Sequence, residues 1–177
     1  NALHPNDIVR IIAGIPVVVQ TQTGFDYRGD SVLNAQMSLR YNIAVAMMDG
    51  QAYLEQFTPE RIAESQVFAL AQRVEIEIDA EIDRAYPEIY GGRVKLVLRD
   101  GRTLDRRVDY SRGMPENPMS RDEIDAKYRS LASAAVGASA AEEILALAGE
   151  SFNADSIVPL GQALSRVEVR EDSAVMA

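Results

Sequence analysis

The sequence contains no cysteine and only one histidine among its 177 residues. The missing thiols exclude disulfide bonds, thiolate zinc sites, cysteine nucleophiles and any iron–sulfur cluster ligated from this chain. The one histidine, His4, stands beside Pro5 in a terminal segment, where an isolated imidazole is more often solvated than catalytic. Acid–base chemistry within the chain would therefore depend on carboxylates, lysines or tyrosines.

A surplus of positive charge is also missing, since 18 Lys and Arg residues stand against 27 Asp and Glu, for a formal net charge of −9. Phosphate backbones attract clustered cations, so we expect no nucleic-acid partner. The densest basic run, from Arg99 to Arg107, is interrupted by Asp100 and Asp105. This pattern is typical of a solvated strand face and not of a binding patch.

Long apolar runs are absent as well. No stretch approaches the roughly 18 to 20 apolar residues that cross a bilayer, and no basic segment followed by an apolar core opens the chain. The sequence thus predicts no membrane partner and a cytoplasmic location. It begins with Asn1 rather than Met, close to a patterned segment, which suggests a processed or engineered product or a piece of a longer protein.

What the chain does have is the composition of an ordinary globular protein, with 47% hydrophobic and 25% charged residues. Predicted strands cluster early and predicted helices late, without βαβ alternation, so we expect the α+β class. The architecture predicted is a small antiparallel sheet with a β-hairpin packed against helices, followed by a helical C-terminal segment. Three parts are predicted: an α+β lid-like domain at 1–132, C-terminal helices at 133–165 and a flexible tail at 166–177.

Three regions have strand patterns. Residues 7–20 are rich in β-branched side chains and predict a strand with a break. VEIEID at 74–79 alternates strictly and predicts a strand with one solvated face. The segment RVKLVLRDGRTLDRRVDY predicts a hairpin around Asp100 and Gly101 with a type I′ turn, in which both central residues need positive φ.

Capping residues mark the helices. Asp30 or Ser31 can cap a long helix over 31–49, and Thr58 begins another that runs to about Arg73. Ser120 forms a capping box with the glutamate three residues later. The helices predicted after the hairpin span residues 120–131, 142–148 and 156–164.

The helix predicted over 31–49 carries a polar stripe on an otherwise apolar surface. Asn34, Ser38 and Asn42 recur at every fourth position, and Tyr41 lies three residues from Ser38. In one interpretation these groups satisfy the neighbouring backbone or face water. In the other, Tyr41 points into a polar pocket with help from Ser38 and Arg40, and donates hydrogen bonds to an anionic substrate.

Other signals of chemistry are weak. YGGR at 90–93 precedes a strand and is not a phosphate loop, and the acidic run EIEIDAEID lacks the spacing of a calcium loop. Lys95 and Lys127 are expected to be solvated. We therefore expect no metal or organic cofactor, and no complete catalytic set within the chain.

Several blocks together carry a resemblance: SLRYNIAVAMMDG, then LAQRVEIEID, then the hairpin with DGR, then RGMPENPMSRDEIDAKYRSLA. In order and spacing they resemble the C-terminal part of the 2-methylcitrate dehydratase (MmgE/PrpD) family, from about Asp7 to Leu164. The resemblance implies a two-domain enzyme with a large helical domain and a smaller α+β lid. Known activities in the family include dehydration of 2-methylcitrate, decarboxylation of cis-aconitate and epimerisation of iminodisuccinate, without a metal or organic cofactor.

The resemblance also implies roles for particular residues. The family's proton-transferring lysine and histidines belong mainly to the helical domain, and none can be placed on His4, Lys95 or Lys127. Tyr41 matches a tyrosine that faces the active site in the family, which makes it the candidate catalytic residue. Ser38 and Arg40 are the candidate substrate-binding residues.

The function expected is therefore that of the lid portion of a cofactor-independent lyase or isomerase acting on small polycarboxylic acids. A hydro-lyase is the first expectation, with a decarboxylase or an epimerase as alternatives. The expected partners are a helical catalytic domain, covalent or separate, a small polycarboxylate substrate and a second copy in a homodimer of the complete enzyme. The alternative is a non-catalytic binding or assembly module that uses the apolar 31–49 helix as an interface.

Overall fold

The computed structural model describes residues 4–167 of the chain. The chain divides into two compact units, a first unit of residues 1–117 and a second unit of residues 118–177. The boundaries predicted at 132 and 165 stay predictions, and most of the predicted tail, residues 168–177, lies outside the described residues. The described part contains a four-stranded sheet in the first unit and helices in both units, which confirms the α+β class.

The sheet consists of β1 (Ile8–Ile15), β2 (Val74–Ile78), β3 (Gly92–Leu98) and β4 (Thr103–Val108), in the order β2-β1-β3-β4. β3 pairs antiparallel with β1 and with β4, whereas β1 and β2 run parallel. The sheet is therefore mixed, where the sequence predicted an antiparallel one. A parallel pair needs a crossover connection, and residues 16–73 supply it.

The strand predicted over residues 7–20 ends at Ile15. Pro16 is the N-cap of helix α1 (Val17–Thr23), and Asp83 accepts a hydrogen bond from the Val17 N–H at 2.8 Å. The prediction of strand for residues 17–20 was therefore wrong. β-Branched residues favour strands only weakly, and here a tertiary contact and a proline at the helix start outweigh that preference.

The predicted hairpin is confirmed, but its turn differs from the prediction. Gly101 has a φ of 85°, and within residues 4–167 only glycines have positive φ. Asp100 therefore cannot occupy the central position of a type I′ turn. The Gly101 N–H donates to the Leu98 carbonyl at 3.1 Å, and the Leu98 N–H donates to the Arg102 carbonyl at 2.9 Å. This is the longer loop in which an ordinary turn precedes one left-handed glycine.

The helix predicted over 31–49 is two helices, α2 (Val32–Met37) and α3 (Leu39–Asp49), which meet at Ser38. Ser31 caps α2, Ser38 caps α3, and Gly50 ends α3 in the left-handed conformation that glycine favours. The helix predicted from Thr58 to Arg73 is likewise split. Its two parts are α4 (Pro59–Ile62) and α5 (Ser65–Ala71), and α6 (Ala80–Ala85) follows β2.

The hydrophobic core of the first unit lies between one face of the sheet and the helices of the crossover. β1 and β3 contribute Ile11 and Leu96, and α3 contributes Tyr41, Ala44 and Val45, all of them buried. The opposite face of the sheet carries charged pairs, such as Arg10 with Glu75. The sheet thus separates an apolar interior from an ionic outer surface, as the alternation of VEIEI predicts.

The second unit has three described helices, α7 (Arg121–Val136), α8 (Ala138–Ser151) and α9 (Val158–Ser165). The predicted capping box of Ser120 and Glu123 is confirmed at the start of α7. Gly137, with φ 83° and ψ 152°, separates α7 from α8. None of the helices described in either unit is long and apolar enough to span a bilayer.

Candidate functional site

Tyr41, the candidate catalytic residue, lies in the core of the first unit. Its side chain is fully buried, and its hydroxyl donates to the backbone carbonyl of Gln56. The ring lies 4.9 Å from that of Tyr27 and 5.6 Å from that of Phe57, between centroids. Within the first unit, therefore, the Tyr41 ring belongs to an aromatic cluster, and the hydrogen bond of its hydroxyl holds the segment around Gln56 against α3.

Burial raises the pKa of Tyr41 to about 12, because an ionised phenol would lose its hydration in this environment. The nearby carboxylates of Asp49 and Glu64 raise the pKa further, while the Arg61 guanidinium lowers it. The phenol is consequently neutral at physiological pH. It can donate a hydrogen bond, and as a base it would be poor in this state.

Ser38 is also fully buried, and its hydroxyl caps α3 by accepting the Tyr41 N–H at 3.3 Å. Asn42 donates its side-chain amide to the carbonyls of Ser38 at 2.8 Å and Ala35 at 3.2 Å. The polar stripe on this segment is thus largely satisfied by the local backbone. Among residues 4–167, the buried side-chain oxygen of Asn34 has no hydrogen-bond partner.

Arg40 leaves the helix in another direction. One of its terminal nitrogens donates to the Val74 carbonyl on β2, and the other lies 3.4 Å from the exposed carboxylate of Asp26. Its buried Nε has no partner among the described residues. Arg40 therefore ties α3 to the sheet and retains one unused donor.

The three predicted residues are neighbours in sequence, but their functional groups diverge. The Tyr41 hydroxyl is directed to the Gln56 segment, the Arg40 guanidinium to β2, and the Ser38 hydroxyl to the first turn of α3. Within the first unit they do not converge on one cavity. Their catalytic and substrate-binding roles stay predictions.

The remaining candidate residues have ordinary structural positions. His4 uses Nδ1 to accept the Asn6 N–H at 3.2 Å, capping a short 3₁₀ turn over Pro5–Asp7. Lys95 is exposed on β3 and Lys127 is exposed on α7. No group of three or more His, Asp or Glu side chains in the described ranges is arranged to hold a metal ion.

Sequence reasoning missed an ionic cluster on the outer face of the sheet. Arg93 makes two hydrogen bonds to Asp105, at 2.8 and 2.7 Å, and lies 3.6 Å from Asp79. Asp79 in turn caps α6 through the Glu81 and Ile82 N–H groups. Burial alone would raise the pKa of Asp79, but these donors and Arg93 outweigh it and lower the pKa. The charge alternation in β2 and β3 was the available signal.

Sequence reasoning also missed two cavities in the first unit. A cavity of about 630 Å³ lies between the 3₁₀ turn near His4, the end of α3 at Met48, and Arg73. A smaller, apolar cleft of about 280 Å³ lies between α3 and the inner face of the sheet. Both involve residues distant in sequence, so no local pattern could predict them.

Comparison with known proteins gives consistent matches. The model of the MmgE/PrpD C-terminal domain matches residues 1–151. A cis-aconitate decarboxylase of Aspergillus terreus (strain NIH 2624 / FGSC A1156) is 31% identical over 137 residues, which cover 76% of this chain and 28% of the relative.

Two mammalian proteins with the same name are similar at nearly the same level. The cis-aconitate decarboxylases of Mus musculus and Homo sapiens are each 29% identical over 133 residues, covering 75% of this chain and 26% and 27% of the relatives. The chain thus spans about a quarter of the length of the curated relatives it matches. Because the domain model matches residues 1–151, well over half of the chain, the chain belongs to the MmgE/PrpD family.

Proposed function

We propose that this chain is the lid-like portion of a cofactor-independent lyase or isomerase that acts on small polycarboxylic acids. The observation that carries the proposal is the match of the MmgE/PrpD C-terminal domain to residues 1–151. The relatives are named cis-aconitate decarboxylases, which supports lyase chemistry and adds weight to decarboxylation against the dehydration first expected. In this proposal the complete enzyme, and not this chain alone, turns over substrate.

The small core of the second unit is an argument for a helical partner domain. Its three described helices bury only Ala141, Ile144 and Ala163, and several large side chains face solvent. Phe152 is 83% exposed and Ile157 is 70% exposed. So small a core stabilises an independent unit poorly. We therefore propose that these helices pack on a helical catalytic domain, covalent or separate.

The proposed chemistry begins with a carbanion beside a carboxylate. Loss of CO₂ or removal of a proton leaves an electron pair that delocalises into the remaining carboxylate as an enolate. That pair is then protonated in a decarboxylase or an epimerase, or expels hydroxide in a dehydratase. The lid would contribute exclusion of water and hydrogen-bond donors, whose effect on the developing charge is greater in a water-poor site.

Tyr41, Ser38 and Arg40 retain their proposed roles in this scheme with different degrees of structural support. Arg40 has a buried Nε without a partner among the described residues, and this N–H is a donor that suits a carboxylate. Tyr41 and Ser38 already use their hydroxyls within the first unit. Both hydroxyls would have to leave these partners, through a rearrangement of the lid, before they contact a substrate. Because this requirement is demanding, a substitution at Tyr41 tests the proposed roles more sharply than one at Arg40.

The experiment uses the protein expressed from its complete coding region. Cis-aconitate, 2-methylcitrate and iminodisuccinate are each supplied, and CO₂ release, water loss and epimerisation are measured separately. We expect turnover of one of these acids, unchanged after exhaustive treatment with a chelator. Absence of turnover with all three, or turnover by residues 1–177 alone, would reject the proposal.

A homodimer of the complete enzyme and a cytoplasmic location are part of the proposal. Sedimentation of the complete protein tests the first, and cell fractionation tests the second.

The alternative, an assembly module that uses the 31–49 segment, has a narrower basis. Ala44 and Val45 lie in the core, while Leu33 and Met37 on α2 are 69% and 45% exposed. Loss of self-association after Leu33→Ser, in a protein that turns over none of the three acids, would favour this alternative.

A further inference from the structure

The helices of the first unit cover the inner face of the sheet over β1 but leave it uncovered over β4. All six residues of β4 are exposed, whereas β1 contributes several fully buried side chains. The register places Ala13, Val94 and Arg106 in one row and Ile11, Leu96 and Leu104 in the next. Residues paired in register share a face, so Leu104, Arg106 and Val108 belong to the same inner face as the core.

An apolar cleft begins where the helical layer ends. It has a volume of about 280 Å³, and its walls include Leu39 and Ile43 of α3, Ala13 of β1, Val94 of β3 and Val108 of β4. Leu104 and Val108 continue the apolar surface towards the edge, with 39% and 47% of their surface exposed. The cleft is thus bounded by one side of α3 and by the uncovered part of the sheet.

The dimensions of the open surface suit a second helix beside α3. Packed helices lie roughly 8 to 10 Å apart. Moving across the sheet by two strands covers about 9.6 Å, at the usual strand spacing of about 4.8 Å. A helix placed next to α3 would therefore lie over β3 and β4, and would cover Leu104 and Val108.

Arg106 gives this surface a charge preference. On the outer face of β4 the flanking charges are paired, Asp105 with Arg93 at 2.7 Å and Arg107 with Asp109 at 2.6 Å. Arg106 lines the apolar cleft, and within residues 4–167 no carboxylate lies within ion-pair distance of it. An arginine among apolar side chains is best satisfied by a carboxylate, which its planar group can bind with two hydrogen bonds.

We propose that this cleft is the docking surface for an amphipathic helix that carries an acidic side chain on its apolar face. The helix belongs to the part of the enzyme outside this chain, which amounts to about three quarters of the length of the relatives. This step depends on the proposed function, because it takes the chain as one portion of a larger enzyme. The apolar residues of the helix cover Leu104 and Val108, and its carboxylate pairs with Arg106.

Because these 177 residues contain no cysteine, no native thiol of this chain competes with one introduced into it, and the test is made in the complete enzyme. Val108→Cys places a thiol in the cleft, and Val9→Cys is the matched control. Val9 is exposed to nearly the same extent, 45% against 47%, and does not line the cleft. Labelling by a maleimide is followed peptide by peptide with mass spectrometry.

We expect the thiol at position 108 to react on the order of tenfold more slowly than the thiol at position 9, because a packed interface core excludes reagent and water. Adding Arg106→Glu should restore fast labelling at position 108. The control for that charge change is Arg84→Glu, since Arg84 is exposed and its Nε bonds only a backbone carbonyl, that of Ala80. Equal labelling at positions 9 and 108, or continued protection after Arg106→Glu, would overturn the proposal.

A photo-crosslinker attached to the thiol at position 108 identifies the occupant. Crosslinks to an acidic, amphipathic helix of the remaining enzyme support the inference, and crosslinks to residues 1–117 of a second copy overturn it. Turnover is measured on the same preparations. An active enzyme with a reactive thiol at position 108 would reject the docking surface alone, whereas lack of turnover with a protected thiol at position 108 would reject only the proposed function.

Discussion

The two units of this chain reach regular secondary structure by different means. The first unit buries large side chains such as Ile11, Tyr41 and Val45 between a sheet and helices. The second unit is mainly helical in its described part, residues 118–167, yet the three buried residues there include two alanines. Capping and local sequence can thus define helices clearly where burial is slight. The comparison teaches that well-formed helices are no measure of independent stability, because most of that stability comes from packing.

Truncation of a side chain should reveal the difference in burial between the two units most strongly. Ile11→Ala in the first unit should lower the free energy of unfolding by about 3 to 4 kcal/mol, through lost burial and the cavity left behind. Leu164→Ala in the second unit, where the side chain is 53% exposed, should change it by less than about 0.5 kcal/mol. Urea unfolding of the 177-residue chain measures both. Similar losses for the two variants would remove the contrast between the units.

The stability of the second unit should be most sensitive to substitutions that strain its backbone. Gly137 combines positive φ with an extended ψ, a conformation almost restricted to glycine, so Gly137→Ala should cost about 1 to 3 kcal/mol. Gly161→Ala is the control, because no atom lies near the added methyl group and alanine favours a helix by up to about 1 kcal/mol. Thermal melts followed by circular dichroism test the pair. A neutral Gly137→Ala would mean that the junction of α7 and α8 is not fixed.

Tyr41 tests whether the first unit uses its core for structure alone. Tyr41→Phe should lower the free energy of unfolding by about 1 to 2 kcal/mol, since the Gln56 carbonyl loses its donor in a buried position. Tyr90→Phe, at a side chain 44% exposed, should be nearly neutral. In the complete enzyme the catalytic prediction adds that Tyr41→Phe lowers turnover well beyond this loss of stability. Unchanged kcat with reduced stability would leave Tyr41 a purely structural residue.

Alkaline pH should destabilise the first unit through its buried phenols. Burial raises the pKa of Tyr41 to about 12, and that of Tyr27 is raised for the same reason. Because the folded pKa of Tyr41 exceeds the unfolded value of about 10, its contribution is intact below pH 10 and is lost as the pH rises towards 12. No effect is expected at pH 7. Tyrosinate absorbance against pH, compared between the parent chain and Tyr41→Phe, measures the late titration directly.

Much of the local structure followed from the sequence. Thr58 and Ser120 begin helices as predicted, and of the two caps predicted for α2, Asp30 or Ser31, the structure has Ser31. A hydroxyl that accepts an unpaired helix N–H is a local effect. The alternation in VEIEI and the position of the hairpin were equally readable, whereas the type of its turn was not. These features involve residues within a few positions of each other, so a single sequence contains the relevant physics.

Two of the errors arise from tertiary contacts, and one is a local cap that was not recognised. Val17–Val19 were predicted as strand but lie in α1, and β2 joins β1 in parallel through a crossover that periodicity could not reveal. Ser38 was predicted inside a continuous helix, but its hydroxyl caps a new one. At the candidate site, the sequence identified a polar stripe beside Tyr41 but could not show that its partners were backbone carbonyls. The partners of Tyr41 and Arg40, the carbonyls of Gln56 and Val74, lie 15 and 34 residues away, and no local pattern reveals them.

The crossover from β1 to β2 has a consequence for synthesis of the protein. β1 is an inner strand, but both of its partners follow residue 73 in the chain. On the ribosome the apolar segment IVRIIAGI therefore has no strand partner until β2 has emerged, and it lacks its second partner until β3 has emerged. Unpaired apolar strands of this kind are prone to intermolecular association. Chaperone dependence during translation should accordingly be greatest before residue 98 leaves the exit tunnel.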